Sequence, residues 1–200
     1  MENLTAIILF AISSTLTPGP NNIIIMTSGM NYGITRSLPL LAGICVGFSS
    51  MLLLVGLGLG RIFHLNPELY LIIKIIGVSY LLHLAWLIAR SGGDTTLSDS
   101  SEPLSFIKGA LFQLVNAKAW IVSIGAVAAF TSGGATFYNQ TIILASTFFA
   151  VSFPCVGAWL FFGSSLRKAL KNPVRRQLFN YTMACLLVIS VIPTNTVITH

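Results

Sequence analysis

The residues best able to do chemistry are polar groups set inside apolar runs. Thr17, Pro18, Gly19, Pro20, Asn21 and Asn22 follow one another in a stretch that is otherwise largely apolar from residue 4 to residue 30. Neither proline has an N–H to give, and each ring crowds the carbonyl one turn earlier, at Ser14 and Leu16. Thr17 before Pro18 reads as an N-cap and a first helical position. The expectation is a helix broken into two halves, with carbonyls released from the first half and N–H groups bare on the second. A packing kink closed by neighbouring helices accounts for the prolines but leaves the two asparagines without a reason.

A second such run is Gln113, Asn116 and Lys118. Gln113 and Asn116 are three residues apart, the spacing of one helical face. Lys118 lies 12 residues beyond Phe106, where its apolar run begins, too deep for its stem to reach the surface comfortably. A lysine at the centre of a membrane span costs about 2.5–3.5 kcal/mol on insertion scales, so it faces a polar interior. A cation beside a half-helix N-terminus makes a site for a small carboxylate. Released carbonyls and asparagine oxygens would then meet an ammonium group. A plainer reading, compatible with the first, has Lys118 binding the carbonyls released near Pro18 and Pro20 and so tying the two runs together. His83, in the middle of another apolar run, is a candidate proton carrier or a partner for a neighbouring carbonyl.

The elements that position these groups follow from composition. Of 200 residues, 54% are hydrophobic and 8% charged, and the mean hydropathy is +0.85. A soluble domain carries about 25% charged residues. So few charges cannot cover a water-soluble globule, which excludes a soluble enzyme and a nucleic-acid binder despite the net charge of +6. The chain reads as an all-α integral membrane protein in one transmembrane domain.

A span needs about 20 apolar residues, and six stretches supply them: 4–30, 38–63, 69–89, 106–130, 140–163 and 177–192. The first is read as a retained span, since no basic segment precedes it. The polar stretch 91–105 is a linker between a first half, 1–90, and a second, 106–200. Each half holds an odd number of spans, so the halves would be inverted relative to each other, a plan used by many secondary transporters. Cys45-Val46-Gly47 in span two has an echo in Cys155-Val156-Gly157 of span five.

Arg36, Arg90, Lys108, Arg167, Lys168, Lys171, Arg175 and Arg176 fall on one side of this arrangement, against Arg61 on the other. The bias puts the first set in the cytoplasm and both termini outside. The basic segment from Arg167 to Arg176 is suited to anionic lipid. Lys74 is placed to snorkel to the outer interface, while Gly43, Gly47, Gly56, Gly58 and Gly60 permit close helix approach. Pro154 is expected to kink span five, and Tyr70, Trp86 and Trp159 are interfacial anchors or cavity walls. The three cysteines, Cys45, Cys155 and Cys185, give no disulfide framework or zinc spacing, and no cofactor motif is visible. All five acids, Glu2, Glu68, Asp94, Asp99 and Glu102, lie at or beyond span ends, so proton coupling would need His83, Lys118 or the substrate itself.

The run Thr17-Pro18-Gly19-Pro20-Asn21 resembles the signature of the lysine exporter (LysE/RhtB) family of amino-acid efflux proteins. The likeness continues through Ala42-Gly43 with Gly47, Gly77-Val78-Ser79-Tyr80-Leu81 with Ala85-Trp86, and Phe106, Gly109, Gln113 and Asn116-Ala117-Lys118. It covers spans one to four by motif and the last two by length and hydropathy. The family usually carries proline between the asparagine and lysine of span four; Ala117 stands there, which should leave that span less broken and argues against a symmetric break in two helices. The subgroup that exports cysteine and O-acetylserine is nearest in overall character.

The resemblance implies a secondary transporter that exports small amino acids or their derivatives across a bacterial inner membrane by alternating access. Its substrate site would use Thr17, Pro18, Gly19, Pro20, Asn21, Asn22, Gln113, Asn116 and Lys118. Two alternatives stand beside it: a thiol–disulfide electron carrier built on Cys45 and Cys155, and a scaffold subunit without transport. A chain of 21.5 kDa also has lipid-facing surface on which a second copy could dock.

Overall fold

In hydrocarbon each backbone N–H must find its acceptor within its own segment, so long apolar runs become helices. The computed structural model describes residues 2–58, 67–90, 103–132, 134–170 and 172–189, and their regular structure is wholly helical. The helices are α1 (Glu2–Leu16), α2 (Pro20–Tyr32), α3 (Ile34–Gly56), α4 (Pro67–Arg90), α5 (Phe106–Phe112), α6 (Ala117–Phe130), α7 (Phe137–Ala169) and α8 (Pro173–Ile189). A short 3-10 turn, Gln113–Val115, lies between α5 and α6. Gly60, Arg61 and the linker residues 91–102 lie outside the described residues, as do Lys171 and the side chains of Tyr70, Lys74 and Lys168.

Two helices are long and apolar enough to cross a membrane alone: α3, and α7 over Phe137–Arg167. The segments Phe106–Val115 and Ala117–Phe130 pass together as a third, bent by 70°. Leu4–Leu16 and Val78–Arg90 are shorter apolar helices. The bend corrects the expectation that Ala117 leaves span four less broken. The helices over the second, fifth and sixth apolar stretches also begin earlier than hydropathy suggests, at Ile34, Phe137 and Pro173, and α7 runs on to Ala169. Helical hydrogen bonding does not stop where hydrocarbon does, so polar ends such as Arg167 extend the element. Pro154, expected to kink span five, sits exposed within α7, which is continuous through it.

The chain turns between α2 and α3 at Gly33, whose φ of +82° is a left-handed value that favours glycine. Packing is tight where small residues allow it. A Cβ on Gly47 would lie 2.6 Å from the carbonyl oxygen of Ala110, and one on Gly43 would run into Phe106, so these glycines let α3 and α5 touch backbone to backbone. The short α2 is buried from Asn22 to Asn31, between α7, α3 and α8.

Two apolar cores result. One gathers Ile24, Ile25, Leu40, Ile44, Leu84, Val156 and Leu187 around α2. The other gathers Ala11, Phe48, Leu52, Ala119, Leu144 and Phe148 where α1 and α6 meet α3 and α7. Outside them, large apolar side chains stand exposed, among them Ile75, Ile121 (69%), Phe161 and Leu178. In water such a surface would drive association, whereas a bilayer solvates it.

Polar contacts gather where α2 meets α8. The Nε of Arg176 donates to Oδ1 of Asn31 at 3.1 Å and Asn31 donates to Asn180 at 3.4 Å, while toward α3 the Ser28 and Ser37 hydroxyls lie 2.7 Å apart.

Candidate functional site

The two breaks meet near the centre of the bundle. In the first, Thr17 is not a helix start. Its N–H donates to the Ser13 carbonyl at 3.0 Å and its hydroxyl bonds back to the same oxygen, so Thr17 closes α1. Gly19 is the N-cap of α2, in fully extended backbone, and Pro20 is its first residue. The N-cap therefore falls two residues later than Thr17-Pro18 suggests. The cause is Pro20, which lacks an N–H and so fits the first helical position. Gly19 leaves room for the Lys118 stem: a Cβ there would lie 2.8 Å from Cδ of Lys118, which would have to shift.

The second break forms without proline. The chain tightens into the turn Gln113–Val115, and Asn116 leaves the helix with φ −88° and ψ 101°. The Asn116 side chain then accepts the N–H of Lys118 at 3.2 Å, capping α6. The indole N–H of Trp120 meets the Leu114 carbonyl at 2.9 Å. Gln113 and Asn116 thus lie on either side of a bend rather than along one helical stripe.

Side chains from each break complete the other. Asn21 and Gln113 exchange amide hydrogen bonds of 2.9 and 3.0 Å, and Asn116 donates to the same Asn21 oxygen at 3.1 Å. Gln113 uses its other N–H on the Gly109 carbonyl at 3.1 Å. Asn22 holds the Thr15 and Thr17 carbonyls, both at 2.9 Å. The Lys118 ammonium donates to the Thr17 carbonyl at 2.5 Å and lies 3.5 Å from that of Pro18. Lys118 therefore does tie the two runs together, though through carbonyls different from those the proline rings crowd. Its three donors are not exhausted by these two. Among the described residues it meets carbonyl dipoles and no carboxylate.

Beside this network lies a partly open cleft, about 410 Å³ when the open solvent at its mouth is counted, where the two cores adjoin. Gly19, Asn21, Asn22, Asn116 and Lys118 line one part of it, with Ser14, Thr15 and Ser152 contributing further polar groups. Ile44, Phe48, Val122 and Val156 form its apolar wall. The N-termini of α2 and α6 both begin at this cleft, so the positive ends of the two helix dipoles lie near Lys118.

Gln113 is fully buried behind the lining and acts on the cleft through Asn21. Thr17, Pro18 and Pro20 shape the break and are not among the lining residues. His83 lies elsewhere, exposed on α4, its ring 6.0 Å from that of Trp86, which in turn carries the Arg90 guanidinium at 4.7 Å. Cys45 and Cys155 are free and buried, and neither lines the cleft; Cys185 is free and exposed. Sequence reasoning missed Ser14, Thr15 and Ser152. Hydroxyls are common in apolar helices, where they bond back to the preceding turn, so no pattern separates a lining hydroxyl from an ordinary one.

The profile of the LysE type translocator family matches residues 12–191. A cysteine/O-acetylserine efflux protein of Klebsiella pneumoniae is 35% identical over 127 residues, 64% of each chain. One of the same description from Escherichia coli K12 is 32% identical over 129 residues, 64% of this chain and 65% of the relative. The matched region thus spans somewhat under two thirds of these relatives. No solved structure matches.

Proposed function

We propose, for a chain that belongs to the LysE family of translocators, that it exports a small polar amino acid through the cleft between its two helix breaks. The observation that carries this reading is Lys118: an ammonium inside the bundle, met by carbonyl oxygens and facing a cleft flanked by two helix N-termini. A substrate carboxylate is the group such a place accepts best. The substrate ammonium then finds an acceptor in the Ser14 carbonyl, whose helical partner would be the nitrogen of Pro18, which has no hydrogen. Asn21, Gln113 and Asn116 spend their amides on one another, so their part is to hold the breaks in place.

Six spans in two inverted halves fit the packing. The broken span α1–α2 lies on α7, the long helix of the other half, and the broken span α5–α6 lies on α3. With basic segments inside and termini outside, Ser14, Thr15 and Val122 belong to the outer side of the breaks. The path toward the cytoplasm is filled by α2, buried from Asn22 to Asn31. That supports an outward-facing state of an alternating-access cycle. The relatives' description favours cysteine, O-acetylserine or a similarly small polar amino acid as cargo. The setting is a bacterial inner membrane, with Arg167, Arg175 and Arg176 against anionic lipid. The burial of Cys45 and Cys155 away from the cleft favours transport over a thiol–disulfide relay.

The test is efflux from bacterial cells that produce the protein and are fed dipeptides, with amino acids in the medium followed by mass spectrometry. Release of one or a few small polar amino acids above a vector control is the expected result. An unchanged medium, at a confirmed membrane level of protein and with cells loaded with those amino acids, would count against it.

A further inference from the structure

Within α7, Thr141, Thr147 and Ser165 each bond back to the carbonyl four residues earlier, at 2.8–2.9 Å. Ser152, 1% exposed on the same helix, does not: its hydroxyl is buried and without a partner. In α1, Ser13 and Ser14 bond to carbonyls three residues back, and Thr17 to one four back, while the Thr15 hydroxyl is buried and without a partner. Thr15 and Ser152, which carry these two hydroxyls, are among the residues that line the cleft; Thr27, Ser49 and Ser123 are not. An unmet buried hydroxyl is costly where a back-bond lies within reach, unless a ligand or water supplies the missing partner.

We infer that Thr15 and Ser152 form the side-chain subsite of the cleft, reading a short hydroxyl, thiol or ester on the transported amino acid. This inference rests on the transport reading above. The chemistry divides the cleft. Lys118 and the helix N-termini take the carboxylate, the Ser14 carbonyl takes the ammonium, and the two hydroxyls face what distinguishes one small amino acid from another. The neighbouring wall of Ile44, Phe48, Val122 and Val156 offers no competing hydrogen bond from its side chains and excludes a charged side chain. A purely apolar side chain of the same size would leave both hydroxyls unmet, and such a site rejects it.

The experiment compares export of cysteine or serine with export of 2-aminobutyrate, which carries a methyl group in place of the polar atom. Ser152→Ala and Thr15→Val are the variants, and Lys118→Ala is the control. Each subsite variant should reduce the preference for the polar substrate over 2-aminobutyrate about tenfold, the loss falling on the polar substrate. Removing an unsatisfied hydroxyl should not destabilise the fold, so the thermal midpoint of the detergent-solubilised variants should hold or rise without substrate. The upward shift that cysteine or serine gives the wild type should shrink. An unchanged preference, or equal loss for both substrates in a stably folded variant, overturns the subsite while transport stands. A wild type that exports none of the amino acids overturns both.

Discussion

The two breaks reach a similar shape from opposite causes. The break between α1 and α2 comes from missing donors: Pro18 and Pro20 have no N–H, so carbonyls of the preceding turn must be met from outside. Asn22 and Lys118 take the neighbouring carbonyls of Thr15, Thr17 and Pro18, which the end of α1 also leaves without helical partners. The break between α5 and α6 comes from added acceptors and donors. Asn116 caps α6, Trp120 takes the Leu114 carbonyl, and Asn21 accepts from Gln113 and Asn116. The first break is therefore fixed by its own backbone chemistry, and the second by tertiary contacts. A lysine recruited to satisfy the first is also the charge that the cleft presents.

Asn21 is the point at which the comparison breaks most easily. Asn21→Ala leaves the buried amides of Gln113 and Asn116 without their shared partner. It should cost about 3–5 kcal/mol of stability, read as a lowered thermal midpoint in detergent. A loss below about 1 kcal/mol would show that the breaks are independent. Asn116→Ala should cost less, about 2 kcal/mol for the cap and its amide bond, and should straighten α5 onto α6. Spin labels at residues 108 and 126 would then move apart, whereas Pro18→Ala, with Pro20 still in place, should leave the α1–α2 break as it is.

How far the sequence could show this follows from the same difference. A broken first span is legible because proline acts through what it lacks, wherever it is packed. The bend of span four is not legible, because an asparagine in an apolar run is compatible with an unbroken helix and its partner Asn21 lies far away in the sequence. Lys118 is legible as an intramembrane cation, but its carbonyl partners depend on where α1 ends. Thr17-Pro18 misleads by two residues because two prolines compete for the first position of α2, and Pro20 takes it. The helix ends at 34, 137 and 173 lie ahead of the apolar runs, since hydropathy reports solvent and not hydrogen bonding.

Two milder substitutions sharpen the contrast. Gly19→Ala places a Cβ against the stem of Lys118; the stem can shift, so export should fall several-fold with stability changed by no more than about 1 kcal/mol. Ala117→Pro should have the smallest effect. Position 117 is the first residue of α6, and Asn116 already holds the extended backbone that a following proline requires. Stability should stay within about 1 kcal/mol of the wild type or rise slightly, with export retained. A loss of folding there would mean that the N–H of Ala117 is committed to a contact essential for the bend.

The central claim is that the ammonium at the meeting point of the breaks carries transport as well as packing. Export by Lys118→Ala, measured beside the wild type at matched membrane levels, tests it most directly. The account predicts release reduced to the vector background while the protein stays folded in the membrane. Undiminished release would contradict it and leave Lys118 as a brace between two helices.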